Sequence, residues 1–158
     1  MIAMKKTVSL SMAFLFAALM ACSFTSCSSS QDFSMNIQVF AQNVMDNVSF
    51  DDQLESIDKP MINDIFLIDD NTDAVMYAGA GGSADVFVVF AAANAAGVKN
   101  VRASVDKYIE TNKAAVANYT PAELDKLNNA ILVEKGKYLA FCVTNDPNAK
   151  SVIEQYMK

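Results

Sequence analysis

Few residues in this chain have the type and the spacing that chemistry requires. Cys22 and Cys27 lie five positions apart in the segment LMACSFTSCSSS. Asp69, Asn71 and Asp73 alternate as the first ligands of a calcium-binding loop do. The chain contains no histidine, so the usual general base and the commonest zinc ligand are both missing. A pair of cysteines without histidine is weak evidence for a zinc site.

The segment before the two cysteines has the form of a secretory signal. Lys5 and Lys6 precede an uncharged apolar run from Val8 to Ala21. A short basic segment followed by such a run is typical of a signal peptide. The run is shorter than the roughly twenty residues that a stable membrane-spanning helix needs. We therefore predict a signal peptide over residues 1–21.

The end of this segment, Leu19–Cys22, resembles the bacterial lipobox, in which a small residue precedes a cysteine. The resemblance implies that the Cys22 thiol receives a diacylglyceryl group, that palmitate or a similar chain is present, and that this residue becomes the new N-terminus. Cys27 remains the alternative, because Ser26 precedes it and the following serines resemble the start of a flexible tether. A third interpretation is that a soluble-export peptidase removes both cysteines.

A lipidated cysteine would place the protein outside the cytoplasm, anchored to the bacterial cell membrane. Two acyl chains hold a protein stably, whereas one holds it only reversibly. Removal of residues 1–21 takes away two lysines, which leaves 10 basic against 18 acidic residues and a net charge of −8. Such a surface is unsuited to nucleic acid and is repelled by anionic lipid headgroups. The partner predicted for the N-terminus is therefore the membrane interior, and no nucleic acid is expected.

Two further motifs lack the surroundings that would give them a function. A calcium loop that starts at Asp69 would need glycine at its sixth position and glutamate at its twelfth, where the chain has Ala74 and Ala80. This excludes an EF-hand and leaves Asp69, Asn71 and Asp73 as a weak metal candidate in an acidic turn. The run Gly79–Ala84 has the spacing G-x-G-x-x-A, but a strand pattern follows it instead of a helix. We predict a hairpin loop there and no cofactor.

Periodicity divides the remainder of the chain into helices and strands. The apolar spacing predicts helices over 35–48, 60–66, 92–119 and 121–127, a terminal helix capped by Asp146-Pro147, strands over 74–78 and 86–91, and two strands around a Lys135–Gly136 loop. Residues Thr120 to Glu123 match a capping box. The resulting order predicts an α+β fold in which two β-hairpins form a mainly antiparallel sheet packed by helices. It occupies a single domain over 35–158 after a flexible tether over 22–34, with Cys142 as a buried apolar residue.

The second half of the chain resembles a known family of bacterial lipoproteins. The relevant features are the Gly-rich loop that enters a strand, the run Tyr119–Pro121, the run Lys135–Tyr138 and the closing run Val143–Asp146. They are similar to the family called domain of unknown function 4358, over about residues 60–157. The resemblance implies a cell-surface lipoprotein without an assigned activity, and glutamate where this chain has Asp85.

These patterns together predict a membrane-anchored extracytoplasmic lipoprotein with a non-catalytic binding or structural domain. Its expected partner is another envelope protein or a wall polymer. The alternative is a small cell-envelope hydrolase that uses paired carboxylates or a Ser–Lys pair, since neither chemistry needs histidine. A cleft that brings such groups within hydrogen-bonding distance would favour the alternative. No catalytic residue is assigned from the sequence.

Overall fold

The core of the protein is a five-stranded antiparallel sheet with the strand order β1-β2-β3-β5-β4. The computed structural model describes residues 33–80 and 82–158. The strands are β1 (Glu55–Ile57), β2 (Asp73–Ala78), β3 (Val86–Ala91), β4 (Ile131–Lys135) and β5 (Tyr138–Val143). The two predicted hairpins, β2–β3 and β4–β5, are both present, and β3 pairs with β5 to join them. The predicted α+β fold with a mainly antiparallel sheet is confirmed.

Helices cover both faces of this sheet. They are α1 (Ile37–Asn47), α2 (Lys59–Phe66), α3 (Ala95–Val116), α4 (Pro121–Asn128) and α5 (Ala149–Tyr156). One core lies between the sheet and α2, α3 and α4, and the other lies between the sheet and α1 and α5. Successive residues of β3 and β5 alternate between the two cores because side chains along a strand point to opposite faces. This explains why both strands read as continuous apolar runs.

The sheet differs from the prediction at its two edges. β1 is absent from the strands predicted above, since its three residues are too few and too polar to show an alternating pattern. The β4–β5 hairpin turns at Gly136 and Lys137, one residue later than predicted, so Val133 pairs with Ala140 instead of Tyr138. The partner shift is two residues, which leaves every side chain on its predicted face. Gly136 has φ +58°, which suits the first loop position of a type II′ turn.

Two helix starts also differ from the prediction. Thr120 precedes α4, but its side chain makes no capping hydrogen bond. Glu123, the predicted capping-box partner, instead accepts a hydrogen bond from the Ala84 N–H at 2.6 Å. The terminal helix starts at Ala149, after Asn148, and not at Pro147. Glu123 is thus held by a distant segment, whereas Asp146 accepts one hydrogen bond from the nearby Asn148 N–H at 2.8 Å and one from the distant Ser49 N–H at 2.9 Å.

The described part of the chain begins with packed residues. The Phe33 ring lies edge-on to the Tyr138 ring at 5.5 Å between centroids, and the Tyr138 hydroxyl accepts from the Met35 N–H at 3.1 Å. The predicted signal peptide and all but the last two residues of the predicted tether lie outside the described residues. Among the described helices, none is long and apolar enough to span a membrane.

The hairpin turn generates a prediction about backbone strain. Gly136→Ala should lower the free energy of unfolding by about 1–2 kcal/mol, because a Cβ is unfavourable at positive φ. No atom lies within 4 Å of the added Cβ, so strain alone would cause the loss. Urea unfolding followed by circular dichroism measures it.

Gly82→Ala is the matched control, since its Cβ also meets nothing within 4 Å and Gly82 has no positive φ. Its stability should equal or slightly exceed that of the parent protein. Equal stability of the two variants would contradict the assignment of strain to the turn.

Candidate functional site

A buried carboxylate stands at the entrance to β3. Asp85 follows the Gly-rich loop, and its side chain is fully buried. Its Oδ2 accepts hydrogen bonds from the backbone N–H groups of Asp51 at 2.7 Å and Asp52 at 3.1 Å. Its own N–H donates to the Ser83 Oγ at 3.1 Å. A buried carboxylate is costly unless it is hydrogen-bonded and paired with a cation, so the position of a cation decides the character of this site.

The cation is the ammonium group of Lys126. Its side chain is only 3% exposed, and its Nζ lies 3.1 Å from Asp85 Oδ1, 2.8 Å from Asp51 Oδ2 and 3.3 Å from Glu123 Oε1. The Nζ also donates to Ser83 Oγ at 3.3 Å. These residues, Ser83, Asp85, Asp51, Glu123 and Lys126, form what we call the Lys126 cluster. Three carboxylates share one ammonium in it.

The helix position of Lys126 explains how α4 reaches the cluster. Glu123 and Lys126 are three residues apart, so they project from the same side of the helix. Glu123 Oε2 accepts from the Ala84 N–H, while its Oε1 faces the ammonium. The helix therefore contributes both an acceptor for the loop backbone and the cation for Asp85. This use of Glu123 removes it from the capping of its own helix.

A second set of hydrogen bonds fixes the loop that carries Asp51. Ser49 donates its N–H to Asp146 Oδ2 at 2.9 Å, and its carbonyl accepts from Thr144 Oγ1 at 2.6 Å. Asn145 donates its side-chain amide to Asp51 Oδ2 at 2.7 Å. The loop between α1 and β1 is thus held from one side by the segment after β5 and from the other by the Lys126 cluster.

Electrostatics keep the ammonium charged. Burial alone would lower the pKa of Lys126, but hydrogen bonds to Asp51 and Asp85 and the negative charge of Asp85 outweigh it, so this pKa lies above its usual value. The hydrogen bond from Lys126, followed by that from Asn145, lowers the pKa of Asp51. Backbone N–H groups of Ser49 and Asn148 lower the pKa of Asp146. At neutral pH the cluster therefore contains a lysine that cannot accept a proton.

The Lys126 cluster brings a serine and a lysine within hydrogen-bonding distance, which is the geometry expected of the hydrolase alternative. Ser83 and Lys126 are 43 residues apart in sequence and within hydrogen-bonding distance in space. The sequence also contains two local Ser-x-x-Lys spacings, Ser56–Lys59 and Ser104–Lys107, whose side chains do not bond to each other. Lys59 pairs with Asp73 instead of Ser56, and the Ser104 hydroxyl donates to a backbone carbonyl of its own helix instead of Lys107. The only Ser–Lys hydrogen bond among the described residues is the one that no sequence spacing predicts.

In the weak metal candidate, one carboxylate oxygen of Asp69 and one of Asp73 are engaged by other residues. Asp69 Oδ1 accepts from the Asn71 N–H at 3.1 Å and from the Thr72 hydroxyl at 2.9 Å, which closes a tight turn. Asp73 forms an ion pair with Lys59 at 2.8 Å. Within residues 33–80 and 82–158, no group of three histidine, cysteine or carboxylate side chains could hold a metal ion.

Of the three cysteines, only Cys142 lies within the described residues. Cys142 is a free, buried thiol, as predicted. Burial is the main cause that raises its pKa, and the negative charges of Asp85 and Asp146 raise it further. It is therefore unreactive as a nucleophile at neutral pH. Cys22 and Cys27, the candidates for lipidation, lie outside the described residues, and their modification stays a prediction.

Sequence reasoning missed the Lys126 cluster, although part of its signal was available. Asp85 ends the Gly-rich loop and precedes five apolar residues, so a carboxylate there sits beside a buried strand. A charge at such a position needs a partner, which pointed to a buried cation. The identity of that cation depends on how α4 packs, and no local pattern contains this information.

Comparison with known proteins shows that the segments forming the Lys126 cluster lie within a family domain. A family model with the description "Domain of unknown function (DUF4358)" matches residues 46–144. This match includes every member of the Lys126 cluster and ends at Thr144, which holds the Ser49 carbonyl. No curated protein and no solved structure shows significant similarity to the chain.

The ion pairs of the cluster predict a large effect of Lys126 on stability. Lys126→Met keeps the apolar stem but leaves the carboxylates of Asp85, Asp51 and Glu123 without their cation. Breaking a buried ion pair from one side costs about 3–5 kcal/mol, and we expect a loss of this size at pH 7. Urea unfolding measures it. Lys150→Met removes an exposed partner of Glu154 and should change stability by less than about 1 kcal/mol.

The pH dependence of the same variant provides an independent check. The folded-state pKa of Asp51 is lowered, so its contribution to stability is complete above its unfolded pKa and is lost as pH falls through the folded value. Lys126→Met removes the main cause of this lowering. The stability gap between parent and variant should therefore narrow between pH 5 and about pH 2. A gap that stays constant or widens in acid contradicts the ion-pair assignment.

Proposed function

We propose that this chain, which belongs to the family of domains of unknown function DUF4358, is a lipid-anchored lipoprotein of the bacterial cell envelope. In this proposal its domain binds a partner without catalysing a reaction. The anchor is supported by the signal-like segment and by the lipobox resemblance at Cys22. The domain begins soon after it, since Phe33 already packs on Tyr138. Ten residues thus separate Cys22 from Phe33.

The observation that carries the non-catalytic part is the saturation of the Lys126 ammonium. Its three protons face four acceptors, namely three carboxylate oxygens and the Ser83 hydroxyl. The second oxygens of Asp85 and Glu123 accept backbone N–H groups. A site whose donors and acceptors are satisfied internally stabilises the loops around it. It offers neither a neutral amine as a base nor an unoccupied anion-binding position to a substrate.

The hydrolase remains the second candidate because Ser83 lies 3.3 Å from Lys126 Nζ and 3.4 Å from Glu123 Oε2. A Ser–Lys pair acts as nucleophile and base only when the lysine is neutral. Loss of the Lys126 proton would leave three carboxylates together without a cation, which the raised pKa of Lys126 opposes. Among the described residues, the carboxylate of Glu123 is the other group placed to take the hydroxyl proton.

Labelling with a fluorophosphonate probe separates the two candidates. A binding domain should give no adduct on the intact chain after prolonged incubation. A hydrolase should give an adduct on Ser83 that Ser83→Ala abolishes and Ser104→Ala leaves unchanged. A Ser83 adduct would overturn the non-catalytic proposal and leave the anchoring proposal intact.

Replacement of the cysteines tests the anchor. The double variant Cys22→Ser, Cys27→Ser should lose incorporation of a palmitate analogue and move from the membrane fraction to the medium of expressing cells. Two buried acyl chains contribute about 0.8 kcal/mol per methylene, so their loss should release nearly all of the protein. Mass spectrometry of the single variants then identifies the acylated residue. A wild-type mature N-terminus without an acyl group would falsify the anchoring proposal.

A further inference from the structure

The second helix of the domain is apolar on two sides, and only one of them is covered. Ile62 and Phe66 of α2 are buried in the core shared with α3. Met61 and Ile65, four residues apart and therefore on one face, are 55% and 37% exposed. Leu67 directly follows the helix and is 70% exposed. A helix face that carries large apolar side chains normally packs against another surface, and none of the described residues covers the outer face of α2.

Leu67 also has an unfavourable backbone conformation. Its φ of 50° and ψ of 42° are left-handed, and it is the only residue other than glycine with positive φ among the described residues. Glycine or asparagine usually occupies this position at the end of a helix. Neither burial nor backbone geometry favours leucine here. Side chains held in strained backbone conformations at exposed positions are associated with binding sites.

Two concave surfaces include Leu67 in their lining. One, of about 240 Å³, lies between α2 and α3 and includes Ile65, Phe66 and Tyr108 in its lining. The other, of about 270 Å³, continues along α3 past Val101. Leu67 contributes to both. The surface therefore consists of apolar side chains on α2 and Leu67, together with two concave surfaces along α3 that both include the leucine. We call it the α2 face.

The charges around the α2 face are mainly negative and uncompensated. Asp58, Asp64, Asp69 and Asp70 are exposed, and none of them forms an ion pair within the described residues. Lys59 is neutralised by Asp73, which leaves Lys107 as the cation on the opposite wall. If a second copy of the chain docked here through the same face, its carboxylates would repel these carboxylates. An anionic lipid surface is disfavoured for the same reason.

We propose that the α2 face docks a cationic amphipathic polypeptide segment, whose apolar side chains cover Met61, Ile65 and Leu67 while its lysines or arginines approach the surrounding aspartates. Helix-in-groove recognition has this form, with apolar anchors at helical spacing and flanking charges that select the partner. The inference rests on the proposed binding function and names its surface and partner class. It does not depend on lipidation, because no residue of the α2 face lies near the cysteines in sequence.

A designed probe tests the surface on the full chain in phosphatidylcholine vesicles. The probe is a fluorescent fifteen-residue peptide of leucine and lysine with leucines at helical spacing, and anisotropy reports its binding. The parent chain should bind it with an affinity that falls as salt rises. Leu67→Asn should weaken binding at least tenfold, because it removes the central apolar side chain. Asparagine tolerates the left-handed conformation, so the fold should persist.

Matched variants and peptides separate the outcomes. Val39→Asn replaces a comparably exposed valine, 59% exposed on α1, and should leave binding unchanged. Asp64→Lys should weaken binding severalfold without affecting the core, which provides a second test if Leu67→Asn unfolds. Equal binding by the parent, Leu67→Asn and Asp64→Lys chains would overturn the location. Equal binding of a leucine–glutamine peptide would overturn the cationic partner.

The same measurement on the Cys22→Ser, Cys27→Ser chain distinguishes this inference from the anchoring proposal. Retained binding with loss of membrane retention supports both. Retained binding with no acyl group on the parent chain refutes the anchor and keeps the α2 face. Loss of probe binding in an acylated parent chain refutes the α2 face alone.

Discussion

The arrangement of the loops at one end of the sheet depends on one buried ammonium group. Lys126 projects from α4 into a site where Asp85 is fully buried and Asp51 and Glu123 complete the shell of charge. None of these carboxylates is adjacent to another in sequence, so their mutual repulsion would separate three segments without the lysine. The ammonium reverses this tendency and joins the Gly-rich loop, the loop after α1 and the start of α4. The cluster still has an excess of negative charge, which explains why hydrogen bonds from backbone N–H groups are recruited to Asp85 and Glu123.

Such a cluster favours specificity of arrangement more than stability. Removal of two charges from water is costly, and well-packed apolar residues of the same volume often serve stability equally well. What apolar residues cannot do is fix the direction from which three segments approach. Each oxygen of Asp85 has a distinct donor, and Asp51 links the cluster to Asn145 beyond the end of β5. We interpret the family domain as a sheet whose loop end is locked by polar contacts between parts that are distant in sequence.

Features that depend on contacts between residues close in sequence were predictable, and features that depend on contacts between distant residues were not. α3 was predictable because its buried residues recur at helical spacing along the sequence. The central strands β3 and β5 were predictable because their side chains contribute to both cores, which makes each strand a continuous apolar run. β1 was not, since a three-residue strand that pairs only at an edge needs no apolar pattern. Glu123 shows the competition directly: the local motif predicts a capping box, and the tertiary contact with Ala84 prevails. The partner of Asp85 could be inferred as a cation from burial alone, but its identity as Lys126 could not.

The two unusual features of the domain have opposite relations to solvent, and this difference separates structural from binding roles. In the Lys126 cluster, polar groups are buried and each one has a partner within the domain, so the local sequence rules are broken but the physical requirements are met. On the α2 face, apolar side chains are exposed and Leu67 has a left-handed backbone conformation that leucine disfavours. Neither the exposure nor the backbone strain is compensated within the described residues. Consistency between local preference and global fold is the normal condition of a folded domain. A violation that is compensated internally belongs to the fold, whereas one left open at the surface marks a candidate contact with another molecule. This difference is why we propose a partner for the α2 face and none for the Lys126 cluster.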